Sequence, residues 1–198
     1  MRVVAFLQPG MADWEAGPVL AYAREYLEAE VLVATPDGKP VTSIGGLRVS
    51  ADTAFNTIDV DKADALLLIG SDAWVDYDEE PFYAFLRVAR KCDLIVGAIC
   101  AGTVPAARAG LFDGHAHTSN GRDWLLEQAP GYAGEGLYRD LPCAVRDGRL
   151  VSAPGSAPAT FAAEIARLLA PERSAEADGF IAFSGREFSV SPATPGHA

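Results

Sequence analysis

Cys100 closes an apolar run, Asp93-Leu94-Ile95-Val96-Gly97-Ala98-Ile99, and opens a helix-like stretch, Val104 to Leu111. A cysteine at a sharp strand-to-helix turn is pushed up from the carboxyl edge of a sheet, and that turn closes only when the residues two before and two after it are small. Ala98 and Gly102 meet the demand. The positive dipole end and the unpaired N–H groups of the following helix favour thiolate over thiol, so the pattern predicts a nucleophile. The other reading is a buried strand-end cysteine used as a small apolar residue, and the local sequence leaves both open.

A nucleophile needs partners, and in an α/β sheet they come from loops at the carboxyl ends of neighbouring strands. Two loops qualify. Gly10-Met11-Ala12-Asp13-Trp14-Glu15 opens a helix, with Asp13 as the expected N-cap and Glu15 in the first turn, where a carboxylate already suits the dipole without further reason. Gly70-Ser71-Asp72 follows Ala65-Leu66-Leu67-Leu68-Ile69, and backbone N–H groups at Ser71 and Ala101 would converge on an oxyanion beside the sulfur. A generic strand-to-helix turn is the alternative there. The histidines are His115, His117 and His197, and none follows Cys100. His115 and His117 alternate on an expected strand, but two ligands without a third do not make a metal site, so none is predicted. Trp14 and Trp74 read either as walls of the site or as packed anchors.

The elements that must hold these groups are legible as alternation: Val3 to Leu7, Trp14 to Leu27, Val31 to Thr35, Ala65 to Ile69, Pro81 to Ala89, Leu94 to Ile99 and Ala159 to Leu169. Alternating strands and helices imply an α/β fold with a mostly parallel, doubly wound sheet and helices on both faces. Val41 to Ser50 reads as a hairpin-like excursion, and Asp147-Gly148 marks a second hairpin turn. At 198 residues one domain is expected, over residues 1–172, with 173–198 as a C-terminal extension whose Ser191–Gly196 segment reads as a loose tail. The acidic run Asp76-Tyr77-Asp78-Glu79-Glu80 reads as a solvated helix start. A net charge of −11 with no basic stripe argues against nucleic acid, and no apolar run reaches the roughly 20 residues of a membrane span. Three scattered cysteines and the lack of a signal peptide point to a reducing, cytoplasmic setting.

Ala12-Asp13-Trp14-Glu15, Leu67-Leu68-Ile69-Gly70-Ser71, Gly97-Ala98-Ile99-Cys100-Ala101-Gly102 and His117-Thr118-Ser119-Asn120 together resemble the ThiJ/PfpI superfamily, within the wider class I glutamine-amidotransferase-like fold. The resemblance implies a flavodoxin-like architecture, commonly a homodimer, with Cys100 as nucleophile and a Glu15 carboxyl hydrogen-bonded to its sulfur. It places the oxyanion donors on Ser71 and Ala101, beside Gly70. The protease-like members carry histidine directly after the cysteine, where this chain has Ala101, and the deglycase-like members carry one where this chain has Asn120. Asn120 orients a carbonyl or a water but exchanges no proton near neutral pH. His117 enters as a further candidate catalytic group, although it faces away from Asn120 on a regular strand.

These residues predict a cofactor-free, cysteine-dependent enzyme acting on a small carbonyl or amide-like substrate by glyoxalase- or deglycase-like hydration. The competing readings are an oxidative-stress sensor that needs no turnover, an intracellular protease or amidase, and a binding module that kept the fold without the chemistry.

Overall fold

The computed structural model describes residues 1–189; the expected tail at 191–196 and His197 lie outside the described residues. Seven strands form one sheet in the order β5-β2-β1-β6-β7-β9-β8, from β1 (Arg2–Phe6), β2 (Glu30–Thr35), β5 (Thr53–Ala54), β6 (Ala65–Leu68), β7 (Ile95–Ile99), β8 (Val145–Asp147) and β9 (Leu150–Ala153). All pairings are parallel except β8 with β9, the hairpin closed at Asp147-Gly148. The central strands β6 and β7 are apolar at every position because both of their faces are covered.

Strand alternation divides the core in two. Val3 and Ala5 of β1 join Phe161 and Ile165 of α6 (Pro158–Leu169) and Val19 of α1 (Asp13–Glu25), while Val4 and Phe6 face Phe82 and Leu86 of α3 (Glu80–Lys91). The short helices α2 (Ala73–Asp76), α4 (Thr103–Arg108) and α5 (Arg122–Gln128) lie with α3. Because β2 and β6 flank β1 on opposite sides, the strand order reverses there, and a crevice opens outside the carboxyl ends at that point.

The excursion between β2 and β6 carries the antiparallel pair β3 (Val41–Thr42) and β4 (Arg48–Val49). Its turn is tied to the entry of α1: Ile44 N–H donates to Met11 O at 3.0 Å, and Gly45 N–H donates to Asp13 Oδ2 at 2.7 Å. Asp13 therefore pins the hairpin instead of capping α1, whose N-cap residue is Ala12, without a side-chain cap.

Two segments depart from the sequence reading. His115 to Ser119 forms no strand; only a single bridge joins His117 to Tyr138. Beyond Pro171 a further helix, α7 (Ser174–Ser184), buries Ala177 against Tyr22, Ala166 and Ala170, with Phe180 edge-on to Tyr22 at 5.2 Å. From α7 this surface takes Ala177, Phe180 and Ile181, too few apolar positions to show as a periodic stripe in the sequence.

Candidate active site

The carboxyl ends of β1, β6, β7 and β9 lie in register, Phe6 beside Leu68, Leu68 beside Ala98, and Ala98 beside Ser152. The loops that leave this edge supply the site. Cys100 takes φ +57°, a left-handed backbone that side chains seldom adopt, at the start of a one-turn 3-10 segment Cys100–Gly102. Gly102 makes the turn possible: a Cβ there would overlap Leu68 O and come within 2.8 Å of its carbonyl carbon. Thr103 Oγ1 donates to Cys100 O at 2.6 Å and accepts the Ser119 Oγ–H at 2.6 Å, which braces the turn from behind.

Glu15 is 0% exposed, and its Oε2 accepts the Gly70 N–H at 2.9 Å. Oε1 is buried and meets no donor among the described residues; a Cβ on Gly155 would sit 2.9 Å from both that oxygen and Cys100 Sγ, so the two atoms border the same small space. Gly70 itself has no room for a side chain, since its Cβ would overlap Glu15 Oε2 and lie 2.7 Å from Cys100 Cβ. Its N–H is committed to holding the carboxyl.

Burial pushes the Glu15 carboxyl up to about 7, partly offset by the nearby Cys100 thiol and by the Gly70 N–H. Burial likewise pushes the Cys100 thiol up to about 11, with the Glu15 charge raising it further and the Asn120 amide and Ala101 N–H pulling it down. Loss of water and a carboxylate alongside therefore oppose the ionised sulfur that the sequence leads one to expect, while two hydrogen bonds favour it.

Asn120 donates from Nδ2 to Cys100 Sγ at 3.1 Å and accepts the Gly155 N–H on Oδ1 at 2.9 Å. Trp14 completes the chain: its Nε1–H donates to Gly155 O at 3.1 Å, and the ring is 52% exposed. Gly155 thus touches Cys100, Glu15, Asn120 and Trp14, yet the sequence reading did not single it out. The signal was present, because Pro154-Gly155 follows β9 directly at the same sheet edge.

Cys100, Glu15, Gly70, Asn120 and Ala101 are brought together; His117 is not. Its ring is 0% exposed, stacked on Phe112 at 4.3 Å, with Nδ1 bonded to His115 O at 2.8 Å and Nε2 bonded to the Tyr132 hydroxyl. Burial holds its pKa below the usual value and keeps the ring neutral. His115 pairs with Asp147 at 3.6 Å instead of joining His117. Ser71 Oγ donates to Pro9 O at 2.5 Å and accepts Ala73 N–H at 3.2 Å, so its side chain is used within the loop and only its backbone is left for a ligand. Trp74 is a core residue, its Nε1–H donated to Ile69 O at 2.7 Å.

Comparison with known proteins matches residues 1–168 to the model of the DJ-1/PfpI family. The crystal structure of the DJ-1 superfamily protein Atu0886 from Agrobacterium tumefaciens superposes with a TM-score of 0.84 at 39% identity, covering 93% of this chain and 99% of that one. Two Bacillus subtilis proteins, the uncharacterized proteases YoaZ and YdeA, are 29% identical over 175 residues (85% of this chain, 83% of theirs) and 31% identical over 150 (76% and 74%).

Proposed function

Since the chain belongs to the DJ-1/PfpI family, we propose that Cys100 and Glu15 act as a nucleophile and proton carrier on small carbonyl compounds. One observation carries this reading: a fully buried carboxyl, anchored on one oxygen by Gly70, whose other oxygen is unpaired and borders the sulfur. A group with its titration near 7 is suited to accept and return a proton at neutral pH.

The sulfur adds to an aldehyde carbon while the S–H proton passes to ionised Glu15. The new oxyanion meets the backbone N–H groups of Ser71 and Ala101, then takes the proton to give a hemithioacetal. With a 2-oxoaldehyde, Glu15 next removes the C1 hydrogen as a proton and returns it to C2, as the C1 hydroxyl proton moves to the former ketone oxygen. The product is a 2-hydroxyacyl thioester. Water cleaves it to the 2-hydroxy acid and restores the thiol, so the sum is addition of water without any external oxidant. The half-exposed Trp14 indole offers an apolar wall for the substrate's side group.

Peptide hydrolysis, suggested by the names of the curated relatives, fits less well. A leaving amine must be protonated, Ala101 stands where a histidine would serve, and both ring nitrogens of His117 are occupied. Burial and the Glu15 charge also oppose the free thiolate that peroxide oxidises, which favours turnover over sensing. A homodimer, common in the family, belongs to the same proposal. Incubation with methylglyoxal is expected to yield lactate, and Cys100→Ala to lower kcat/KM by at least about a thousandfold. Lactate formation surviving in that variant, or casein cleaved faster than methylglyoxal is converted, overturns the reading.

A further inference from the structure

On the α3 side of the sheet a cavity of about 600 Å³ opens between the loop after β2, the turn after β5 and the start of α3. None of the residues gathered at Cys100 lines it. Pro36, Pro81 and four aromatic residues line it, Tyr77 and Phe85 partly exposed and Phe55 and Phe82 buried beneath. Phe55 and Phe82 stack with centroids 5.0 Å apart, and Trp74 stacks behind both at 5.7 and 5.6 Å. With the Trp74 indole fixed to Ile69 O, the aromatic floor is a braced layer and not a set of loose side chains.

Two carboxylates stand on the rim, Asp37 and Glu79. Lys39 hydrogen-bonds Asp37 and holds its carboxyl below the usual range, so it is charged. Glu79 occupies the N-cap position of α3 without capping it and has no ion-pair partner among the described residues. Its charge reaches Tyr77, whose hydroxyl is raised by burial and then by Glu79. Asp76 and Asp78 flank Tyr77 in the chain, while Glu80 is paired with Arg87.

The partly exposed rings of Tyr77 and Phe85, with the unpaired Glu79 carboxylate beside them, attract a cation that carries an apolar body, and the volume is that of a small-molecule site. Glu79 and Glu80 both stand at the positive end of α3, which disfavours an added anion there. We propose that this cavity is a second binding site, separate from Cys100, for an organic cation of the aryl-alkyl ammonium class.

The test is titration of the full chain with benzyltrimethylammonium, followed by amide and indole N–H resonances, with benzyl alcohol and phenylacetate as neutral and anionic controls. Shifts are expected at Tyr77, Phe85 and the Trp74 indole, with binding at least about fivefold weaker for either control. Glu79→Gln, an exposed change whose unaltered melting temperature verifies folding, is expected to weaken the cation by a similar factor, and Cys100→Ala to leave it unchanged. Equal binding of benzyl alcohol, tighter binding of phenylacetate, shifts confined to other regions, or an indifferent Glu79→Gln each overturns the proposal. Because Cys100 is not involved, the outcome is independent of any turnover of methylglyoxal.

Discussion

Two ionisable side chains are completely buried at opposite sides of the site region, Glu15 beside the elbow and His117 beneath the segment that leads to Asn120. Both are shifted toward their neutral forms by loss of water. They differ in what surrounds them. Every polar atom of the His117 ring has a partner, in a stack with Phe112 and bonds to His115 O and the Tyr132 hydroxyl. Glu15 keeps one oxygen without a donor, and the space in front of that oxygen also borders a thiol. A buried polar group with all its capacity used is a structural fitting, whereas one with capacity left over, next to a nucleophile, stores unfavourable free energy that a reaction can draw on.

That contrast is broken most directly at Glu15. Glu15→Gln keeps the acceptor for the Gly70 N–H but cannot take a proton, so methylglyoxal conversion is expected to fall by at least about a hundredfold in kcat/KM. An unchanged rate would put Glu15 in the same class as His117. Stability should move the other way. In the folded chain the carboxyl titrates near 7 against 4.5 for an unperturbed one, so the native state binds more protons than the unfolded state between these values. The contribution of Glu15 is therefore whole below about pH 4.5 and is lost as pH rises through 7. Gln carries no such burden. Relative to the parent, Glu15→Gln should gain on the order of 2–3 kcal/mol between pH 4.5 and 8, read from urea midpoints at both ends. A constant difference would show that Glu15 is not buried as a charge.

How much of this was readable in the sequence depended on whether the cause was local. The elbow was readable because the constraint acts over five residues: Ala98 and Gly102 must be small for Cys100 to turn, and Gly102 does lie against Leu68 O. Strand alternation and both hairpins were readable for the same reason. Glu15 and Asn120 were found only through resemblance, since a first-turn glutamate has a sufficient local reason to exist. Gly155 was missed because its importance lies in contacts made across 55 and 140 residues of chain, to Cys100 and Glu15. The forces that oppose ionisation of Cys100 were not readable, because a helix dipole is visible in sequence and desolvation is not. His117 was placed on a strand that tertiary packing replaces with one bridge and an aromatic stack.

The His117 side of the comparison sharpens with Tyr132→Phe, which removes the hydroxyl from Nε2 and leaves a buried ring nitrogen without its partner. The expected result is a loss of about 1–3 kcal/mol in unfolding free energy with methylglyoxal turnover at the parent level. A drop in turnover without loss of stability would give His117 a part in the chemistry after all.

The finest distinction concerns where the proton of the Cys100–Glu15 pair rests. With burial and the neighbouring carboxylate both holding the thiol near 11, Cys100 should react with iodoacetamide at pH 8 more slowly than Cys92, which is exposed at the end of α3. Glu15→Gln removes the neighbouring charge but not the burial, so it should speed Cys100 only several-fold and leave the Cys92 rate alone. Peptide-resolved mass spectrometry over a time course separates the two sites. If Cys100 instead alkylates ahead of Cys92 in the parent, and Glu15→Gln slows it, the proton rests on the carboxyl and the sulfur is the anion. Glu15 would then begin the reaction as an acid, giving its proton to the substrate oxygen, and the pH profile would fall through 7 where the present assignment requires it to rise.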